Sequence, residues 1–524
     1  MRKKLLYTLL ASCLFACSDK DTSYEVIKND LRAPAYPLVT IDPYASAWSM
    51  SDNLYDSPVR HWTGKDFPLI GVVKVDGVSY RFMGTEELEM NAIVPTSQQG
   101  DWTGQYTTEK PAGDWTSAGY DDSKWKSDRG AFGTKENEPT AKTQWGTRNI
   151  WVRRTVNIDR DLTGIPVYLE FSNDDDAVFY INGVKIHGTG TTCNKNKVVK
   201  LPDEALAVLK QGDNIIAAEC INPVGNGFLD FGLQISKHLE TVFGNTAVQT
   251  SADVQPMQTH YAFTCGDVDL KVTFTAPLFM EDLKLLSRPV NYLTYSVAAR
   301  DGKEHEVEVY FEASPRWALD QPYQQSASKG YEADGLLYLK SGSKEQNILA
   351  KQGDDLRIDW GYFYMVAGKE NTAYSVGNST ELRKNFVNGT LNSASLEGED
   401  SNGNMALVRS YGKVKNVTDK IILGYDDIYS IQYFGTNLRP YWNSKGDRTI
   451  EAEMLAAYNE YDKLLVRCYA FDKKLMEDAS AAGGKEYAEL CALAYRQSIA
   501  AHKLVEAPNG DLLWLGGGKN KNGW

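Results

Sequence analysis

The sequence predicts a mainly β fold, in which a large antiparallel β-sandwich carries an inserted β segment and is followed by helices. Two observations predict the sandwich: short runs of alternating apolar and polar residues lie between residues 22 and 445, and turns rich in Gly and Asn separate them. A third observation predicts the helices, because apolar residues recur at spacings of three and four after residue 446. At 524 residues the chain is too long for one hydrophobic core, so we expect about two to four domains.

Residues 1–17 predict an export signal that is not part of the fold. A basic start is followed by the apolar run Leu5–Ala16, which is too short to span a bilayer. The run ends in Leu14-Phe15-Ala16-Cys17, which resembles a bacterial lipobox. That resemblance implies a lipid on Cys17 and an outer membrane lipoprotein, on the periplasmic face or at the cell surface, held to the membrane by the lipid alone. The alternative is an ordinary secretory peptide with a chance cysteine.

Residues 22–100 form the first expected β segment. Asp76-Gly77 lies between two alternating runs and predicts a tight hairpin turn. Before it comes a loop that carries a cation, an imidazole and an indole on Arg60, His61 and Trp62. Such a loop is a candidate for substrate contact. The alternative is a loop pinned by its tryptophan, with the arginine in solvent.

Residues 101–238 have a pattern of their own. Their motifs include Asp114-Trp115, Tyr120–Trp125 and a second hairpin turn at Asn182-Gly183. In this order the motifs resemble the galactose-binding-like jelly roll found in β-galactosidase-type enzymes and many surface enzymes. The resemblance implies an inserted jelly-roll β-sandwich, and leaves open whether it binds carbohydrate or acts as a spacer. The acidic run Asp174–Asp176 is a weak signal for a structural calcium, and we expect no other cofactor.

Residues 239–445 return to alternating β runs, for example over residues 270–275 and 307–312. Their number and spacing predict the larger sandwich, which the hairpin of the first segment completes. The 101–238 segment is then an insertion in a sandwich loop, where insertions are tolerated because the ends of the host loop stay close.

The stretch from Gly424 to Trp442 carries the predicted site. It combines six aromatic residues with the adjacent carboxylates of Asp426 and Asp427, a combination that suits a sugar-like or amide substrate. We predict that these two residues are catalytic, with one activating water while a second acid, which the sequence does not locate, protonates the leaving group. The predicted substrate-binding residues are Arg60, His61, Trp62, Tyr429, Gln432, Arg439 and Trp442. The alternative is that the aromatics pack a junction between domains.

Residues 446–524 predict two helices. Gly483-Gly484 ends the first helix, and the second begins at about Lys485. Two helices with apolar faces need partners, so we expect the opening of a larger helical domain that the chain leaves incomplete at Trp524. The apolar face of the first helix consists of Ile450, Met454, Ala457, Tyr461, Leu464, Leu465 and Cys468.

Four stretches together resemble the glutaminase A family: 31–40, 60–64, 75–84 and 425–442. The resemblance covers the chain from about residue 30 onward, apart from the jelly-roll segment. It implies a β-sandwich followed by a helical toroid similar to that of six-hairpin glycosidases, of which this chain holds only the first helices. It also implies hydrolysis of L-glutamine to glutamate and ammonia, and a truncated chain is expected to be inactive.

Composition limits the classes of molecule that the protein is expected to bind. The net charge is −13 and no Lys or Arg cluster stands out, which argues against nucleic acid. The six histidines lack the spacing of zinc ligands, so no metal site is expected beyond the calcium already considered. The sequence leaves three functions open: a glutaminase A-like hydrolase, a glycoside hydrolase or carbohydrate-binding accessory lipoprotein, and a non-catalytic surface protein. The substrate would be a small-molecule amide or a glycan, and the oligomeric state is not predicted.

Overall fold

The computed structural model describes residues 26–86, 90–134, 141–223, 225–236, 241–322, 324–351, 356–391 and 403–516. Strands account for 46% of the chain and helices for 17%, which confirms the mainly β fold class. The chain divides into two compact units, one made of residues 1–86 and 242–524 and the other of residues 87–241. Cys17 and its signal segment lie outside the described residues.

The larger unit begins with five strands: β1 (Tyr36–Thr40), β2 (Ser46–Ser49), β3 (Arg60–His61), β4 (Leu69–Val75) and β5 (Val78–Met83). Strands β1, β2 and β3 form a small antiparallel sheet. Strands β4 and β5 form the predicted hairpin. Asp76 and Gly77 at its turn have φ angles of 48° and 84°, the left-handed backbone that a two-residue turn of this type needs.

The smaller unit, which the sequence bounds at 101–238 and the structure at 87–241, contains two six-stranded sheets. One sheet has the order β10-β9-β17-β12-β15 with β6 also on β17, and the other has the order β14-β13-β16-β11-β7-β8. Their facing apolar side chains, such as Phe171 and Phe179, form one core. The elements are β6 (Met90–Val94), β7 (Trp102–Thr107), β8 (Lys126–Gly130), β9 (Phe132–Gly133), β10 (Thr143–Gln144), β11 (Asn149–Ile158), β12 (Val167–Asp174), β13 (Asp176–Ile181), β14 (Val184–Gly188), β15 (Asn194–Lys200), α1 (Asp203–Val208), β16 (Gly212–Ile221) and β17 (Phe228–Ser236).

The larger unit then completes a sandwich of two sheets, β18-β5-β4-β23-β28-β27 and β19-β20-β21-β22-β29-β26-β25-β24. Alternate residues of both sheets, such as Phe311 and Leu423, fill the space between them. The elements are β18 (Asn245–Thr246), β19 (Val248–Val254), β20 (Gln258–Cys265), β21 (Val268–Thr275), α2 (Leu283–Ser287), β22 (Val290–Ala299), β23 (His305–Ala313), β24 (Ser326–Ala333), β25 (Leu336–Ser343), β26 (Tyr362–Gly368), β27 (Thr372–Gly377), α3 (Ser379–Val387), β28 (Asn404–Val414), β29 (Asn416–Asp426), β30 (Ile431–Tyr433) and β31 (Thr436–Leu438).

The predicted helices are α4 (Ile450–Gly483) and α5 (Lys485–Ala500), followed by a hairpin of β32 (His502–Glu506) and β33 (Leu512–Gly516). The predicted apolar face of α4 packs on the outer face of the eight-stranded sheet, against Tyr338 and Ile422 among others. The sandwich therefore supplies a partner for this face. None of the described helices is both long and apolar enough to cross a membrane.

Candidate functional site

Asp427 is buried in an ion pair. The side chain is 1% exposed, Lys503 Nζ lies 2.9 Å from its Oδ2, and the Ser430 hydroxyl donates to the same oxygen at 2.7 Å. Asp42 contacts the same lysine. Burial alone would lower the pKa of Lys503, but the two carboxylates outweigh burial and raise it. Asp427 thus ties its segment to strand β32, and its burial keeps substrate away from it in this arrangement.

Asp426, the last residue of β29, is half-buried and differs from its neighbour. Its Oδ1 accepts a hydrogen bond from the Ile428 backbone at 3.1 Å. Burial and then the charge of Asp427 raise the pKa of the Asp426 carboxyl. A carboxyl that keeps its proton closer to neutral pH can donate that proton to a leaving group.

Glu451 and Lys340 extend the site around Asp426. Lys340, on β25, lies with Nζ 3.6 Å from the centre of the Tyr362 ring, and burial lowers its pKa. The charges of Glu451 and Asp426 both act on Lys340, and both help burial to raise the pKa of Tyr364. The charges of two carboxyl groups on separate elements thus act on one lysine.

A chain of hydroxyl groups fixes Glu451. The Tyr331 hydroxyl donates to Glu451 Oε1 at 2.7 Å, and the Tyr364 hydroxyl donates in turn to Tyr331. Thr449 caps helix α4, since its hydroxyl accepts from the Ala452 backbone at 3.2 Å. We call Asp426, Glu451, Lys340, Tyr331 and Tyr364 the carboxylate–lysine cluster.

The other predicted residues of the 424–442 stretch hold its own hairpin and its contact with the sheet. The Arg439 guanidinium lies 4.7 Å from the centre of the Tyr429 ring and donates to the Ile428 carbonyl at 3.4 Å. The Gln432 amide donates to Asn437 across the β30–β31 pair at 3.2 Å. Trp442 is buried in the same apolar cluster as Tyr364 and helix α4.

Arg60 and His61, predicted to lie in a loop, form strand β3 because they pair with β2, and Trp62 follows this strand beside the segment after β1. Arg60 pairs with Asp66 at 3.0 Å. His61 is 2% exposed, and its Nε2 lies 2.9 Å from the Pro43 carbonyl. Because a carbonyl oxygen can only accept, Nε2 carries the proton. Trp62 is 40% exposed and donates its indole N–H to the same carbonyl at 2.9 Å.

Three consecutive residues connect these two regions. Asp42 contacts Lys503, the Pro43 carbonyl holds His61 and Trp62, and the Tyr44 hydroxyl donates to the Ser430 carbonyl. The structure therefore places Asp427, His61 and Trp62 around the Asp42–Tyr44 segment, although each makes a different contact there. The His61 and Asp427 side chains are both buried, and their contacts hold this segment in place.

Trp62 also lines a pocket of about 300 Å³. We call it the Trp62 pocket, and its lining consists of Ala35, Pro43, Ser46, Trp48, Met50, Trp62, Gln497, Ala500 and Ala501. None of these residues carries a charge. The pocket thus differs chemically from the carboxylate–lysine cluster.

The sequence did not identify Lys340, Glu451, Tyr331, Trp48 or Gln497 as functional. One signal was present for Glu451, because Thr449 followed by acidic residues is typical of a helix start. That pattern has a structural explanation, since carboxylates in a first turn stabilise the helix dipole. The packing of helix α4 on the sheet brings Glu451 to this region.

No three His, Cys, Asp or Glu side chains gather as possible metal ligands within the described part of the chain. Asp174 and Asp175 do interact with each other: burial, and then the charge of Asp175, raise the pKa of Asp174 to about 6. The structure gives this acidic run no further carboxylate or histidine ligand among the residues it describes.

Two domain families match the chain. DUF5127, a domain of unknown function, matches residues 257–478, and DUF4964, another, matches residues 9–95. A curated protein, Glutaminase A of Aspergillus oryzae, is 26% identical over 288 residues. The chain is similar to a glutaminase A. The match covers 52% of this chain and 41% of the relative, so the chain spans less than half of the relative's length.

Solved structures with a likeness to the chain include glycoside hydrolases. They include the β-glucuronidase of Ruminococcus gnavus, with 11% identity and a TM-score of 0.22 over 44% of this chain and 43% of that chain. A glycosyl hydrolase family 2 member of Bacteroides cellulosilyticus has 13% identity and a TM-score of 0.23 over 56% and 38%. Likeness at these TM-scores carries no argument about the reaction.

Proposed function

We propose that this protein is a hydrolase similar to glutaminase A and that the carboxylate–lysine cluster performs the hydrolysis of an amino-acid amide such as L-glutamine. The observation that carries the proposal is that the charges of Asp426 and Glu451 both act on Lys340, which lies over the Tyr362 ring, inside residues 257–478 that DUF5127 matches. The similarity to Glutaminase A supports the choice of substrate.

The charges of the cluster suit a free amino-acid amide. Such a substrate has one carboxylate and one ammonium group, and both need partners of opposite charge when they leave water. Lys340 would pair with the substrate carboxylate, and Glu451, the carboxylate that acts as the base, would attract the ammonium group. The Tyr362 ring beside Lys340 offers an apolar surface to the methylene groups.

In the proposed reaction, Glu451 takes a proton from water, whose oxygen attacks the amide carbon. Asp426, whose pKa is raised, holds a proton and donates it to the leaving nitrogen as the carbon–nitrogen bond breaks. The products are a carboxylic acid and ammonia. The Tyr331 hydroxyl, which donates to Glu451, orients the base toward the water.

This proposal departs from the expectation of an inactive chain, which the family resemblance alone implied, and the test is release of ammonia by the purified protein. We expect release from L-glutamine, slower release from L-asparagine because its amide is one methylene closer to the charged groups, and loss of release in Asp426→Asn. Asp462→Asn, an exposed carboxylate of helix α4, is the control and should behave as wild type. Absence of ammonia, or full activity of Asp426→Asn, would contradict the proposal.

The same two carboxyl groups support a second candidate, glycoside hydrolysis. There the acid would protonate the glycosidic oxygen and the base would activate water or attack the sugar carbon. The tyrosine rings next to Lys340 favour it, because flat rings suit a sugar face. Release of nitrophenol from a panel of nitrophenyl glycosides, with no ammonia from L-glutamine, would select this function over the first.

We propose, in addition, that Cys17 carries a lipid and attaches the protein to the outer membrane. The proposal is based on the lipobox-like sequence. The variant Cys17→Ser should move the protein from the membrane fraction to the soluble fraction. An unchanged distribution would count against lipidation.

A further inference from the structure

We propose that the Trp62 pocket is a second binding site, separate from the carboxylate–lysine cluster, and that it binds a neutral sugar ring. The residues that line the pocket carry this inference, which is independent of the proposed amide hydrolysis. Two of these residues are tryptophans, Trp48 and Trp62.

Both indole N–H groups are already bound within the protein. Trp48 Nε1 donates to the Ser46 hydroxyl at 2.9 Å, and Trp62 Nε1 donates to the Pro43 carbonyl at 2.9 Å. These bonds fix the orientation of both rings, and the π faces are what they offer to a ligand. The His61 ring, 5.5 Å from the Trp62 ring centre to centre, supports Trp62 further.

The lining excludes charged ligands. All nine lining residues are neutral, and seven of them are apolar or aromatic. A zwitterionic amino acid or a uronic acid would lose water from its charges without gaining an oppositely charged partner, which is costly. The pocket therefore selects a neutral ligand, in contrast to the cluster around Lys340.

Two polar groups make the pocket unsuited to a purely apolar ligand. The buried Ser46 hydroxyl accepts from Trp48 and keeps its own O–H to donate. The Gln497 side chain, exposed on helix α5, offers both an amide donor and a carbonyl acceptor. A pyranose has an apolar face for the indoles and hydroxyl groups for Ser46 and Gln497. The volume of about 300 Å³ is at the lower end of the range for small-molecule sites, which suits one or two rings.

Saturation-transfer NMR with the purified protein tests this inference. The probes are the methyl β-glycosides of glucose, galactose and xylose, with glucuronate as a charged probe and indole as an apolar probe. We expect saturable binding of at least one methyl glycoside, and weaker transfer to glucuronate. Trp62→Ala should weaken that binding by about tenfold or more, and Gln497→Ala by less.

Trp62→Phe, which keeps a ring, should retain most of the binding and shows that loss in Trp62→Ala is not misfolding. Trp125→Ala removes a half-buried tryptophan of the smaller unit and serves as the matched control. The inference is overturned if no methyl glycoside binds, if indole binds while every glycoside fails, or if Trp125→Ala rather than Trp62→Ala removes the binding.

Discussion

The carboxylate–lysine cluster and the Trp62 pocket lie in the same compact unit but have opposite chemistry. The cluster places two carboxyl groups and an ammonium group among tyrosines, whereas the pocket has two indole faces and no charge. Charge in a partly buried site costs free energy unless a partner offsets it. From this difference we predict that ionic substrates bind at the cluster and that neutral rings bind in the pocket.

The largest expected effect concerns the base. Glu451→Gln keeps the size of the side chain and removes its proton acceptor, so ammonia release should fall by about 10²–10⁴-fold. Binding of methyl glycosides at the Trp62 pocket should not change. Glu477→Gln, an exposed position on the same helix, is the matched control for rate. A fully active Glu451→Gln would remove Glu451 from the reaction.

The next largest effect is expected from disturbing the Asp42–Tyr44 segment, which contacts both Lys503 and Trp62. Lys503→Met leaves Asp42 and Asp427 buried without their cation, which should cost about 3–5 kcal/mol in the free energy of unfolding. Ligand binding at both the cluster and the Trp62 pocket should weaken, because the Asp42–Tyr44 segment contacts Trp62 on one side and Ser430 on the other. Chemical denaturation measures the loss. Lys445→Met, which breaks an exposed pair with Glu506, should leave stability unchanged, and an equal loss in the two variants would contradict this explanation.

A smaller effect is expected from a substitution that changes the carboxylate–lysine cluster and leaves the Trp62 pocket unchanged. Gly361 has φ +72°, and a methyl group there would collide with the backbone carbonyl of Asp426. Gly361→Ala should cost about 1–3 kcal/mol and lower the hydrolysis rate by shifting Asp426, while the Trp62 pocket keeps its affinity. Gly510 also has a positive φ, +88°, but open space around it, so Gly510→Ala should strain the backbone without lowering the rate. Equal rates in the two variants would exclude this displacement of Asp426.

The smallest effect is a shift in pH dependence. Asp426 must be protonated to act as an acid, so hydrolysis should decline as the pH rises through its pKa. Asp427 raises that pKa and Lys340 lowers it. Asp427→Asn should therefore move the alkaline limb of the rate profile to lower pH, and Lys340→Met should move it to higher pH. Shifts in the same direction would be inconsistent with Asp426 as the acid.

Much of the fold followed from local patterns. Asp76-Gly77 and Asn182-Gly183 predicted hairpins because a two-residue hairpin turn needs left-handed backbone, which Asp, Asn and Gly adopt readily. All four residues have positive φ angles in the structure. Gly483-Gly484 predicted the break between α4 and α5, where Gly484 has φ 86°. These signals are local, and the sequence alone is enough to detect them.

The site was harder to predict, because its parts meet through strand pairing. In the sequence Asp427 is a candidate catalytic group. In the structure its carboxylate is buried in an ion pair with Lys503, which lies 76 positions later in the chain. Glu451 and Lys340 join Asp426 only because β25, β26 and β29 lie side by side and α4 packs across them. No spacing rule connects residues over such separations.

The most direct test of two chemically distinct sites is a competition experiment. Binding of L-glutamine would be followed by calorimetry with and without a saturating neutral methyl glycoside, in wild type, Lys340→Met and Trp62→Ala. We predict that both ligands bind together, that Lys340→Met weakens only glutamine binding, and that Trp62→Ala weakens only glycoside binding. Displacement of one ligand by the other, or loss of both in a single variant, would contradict the assignment of separate sites.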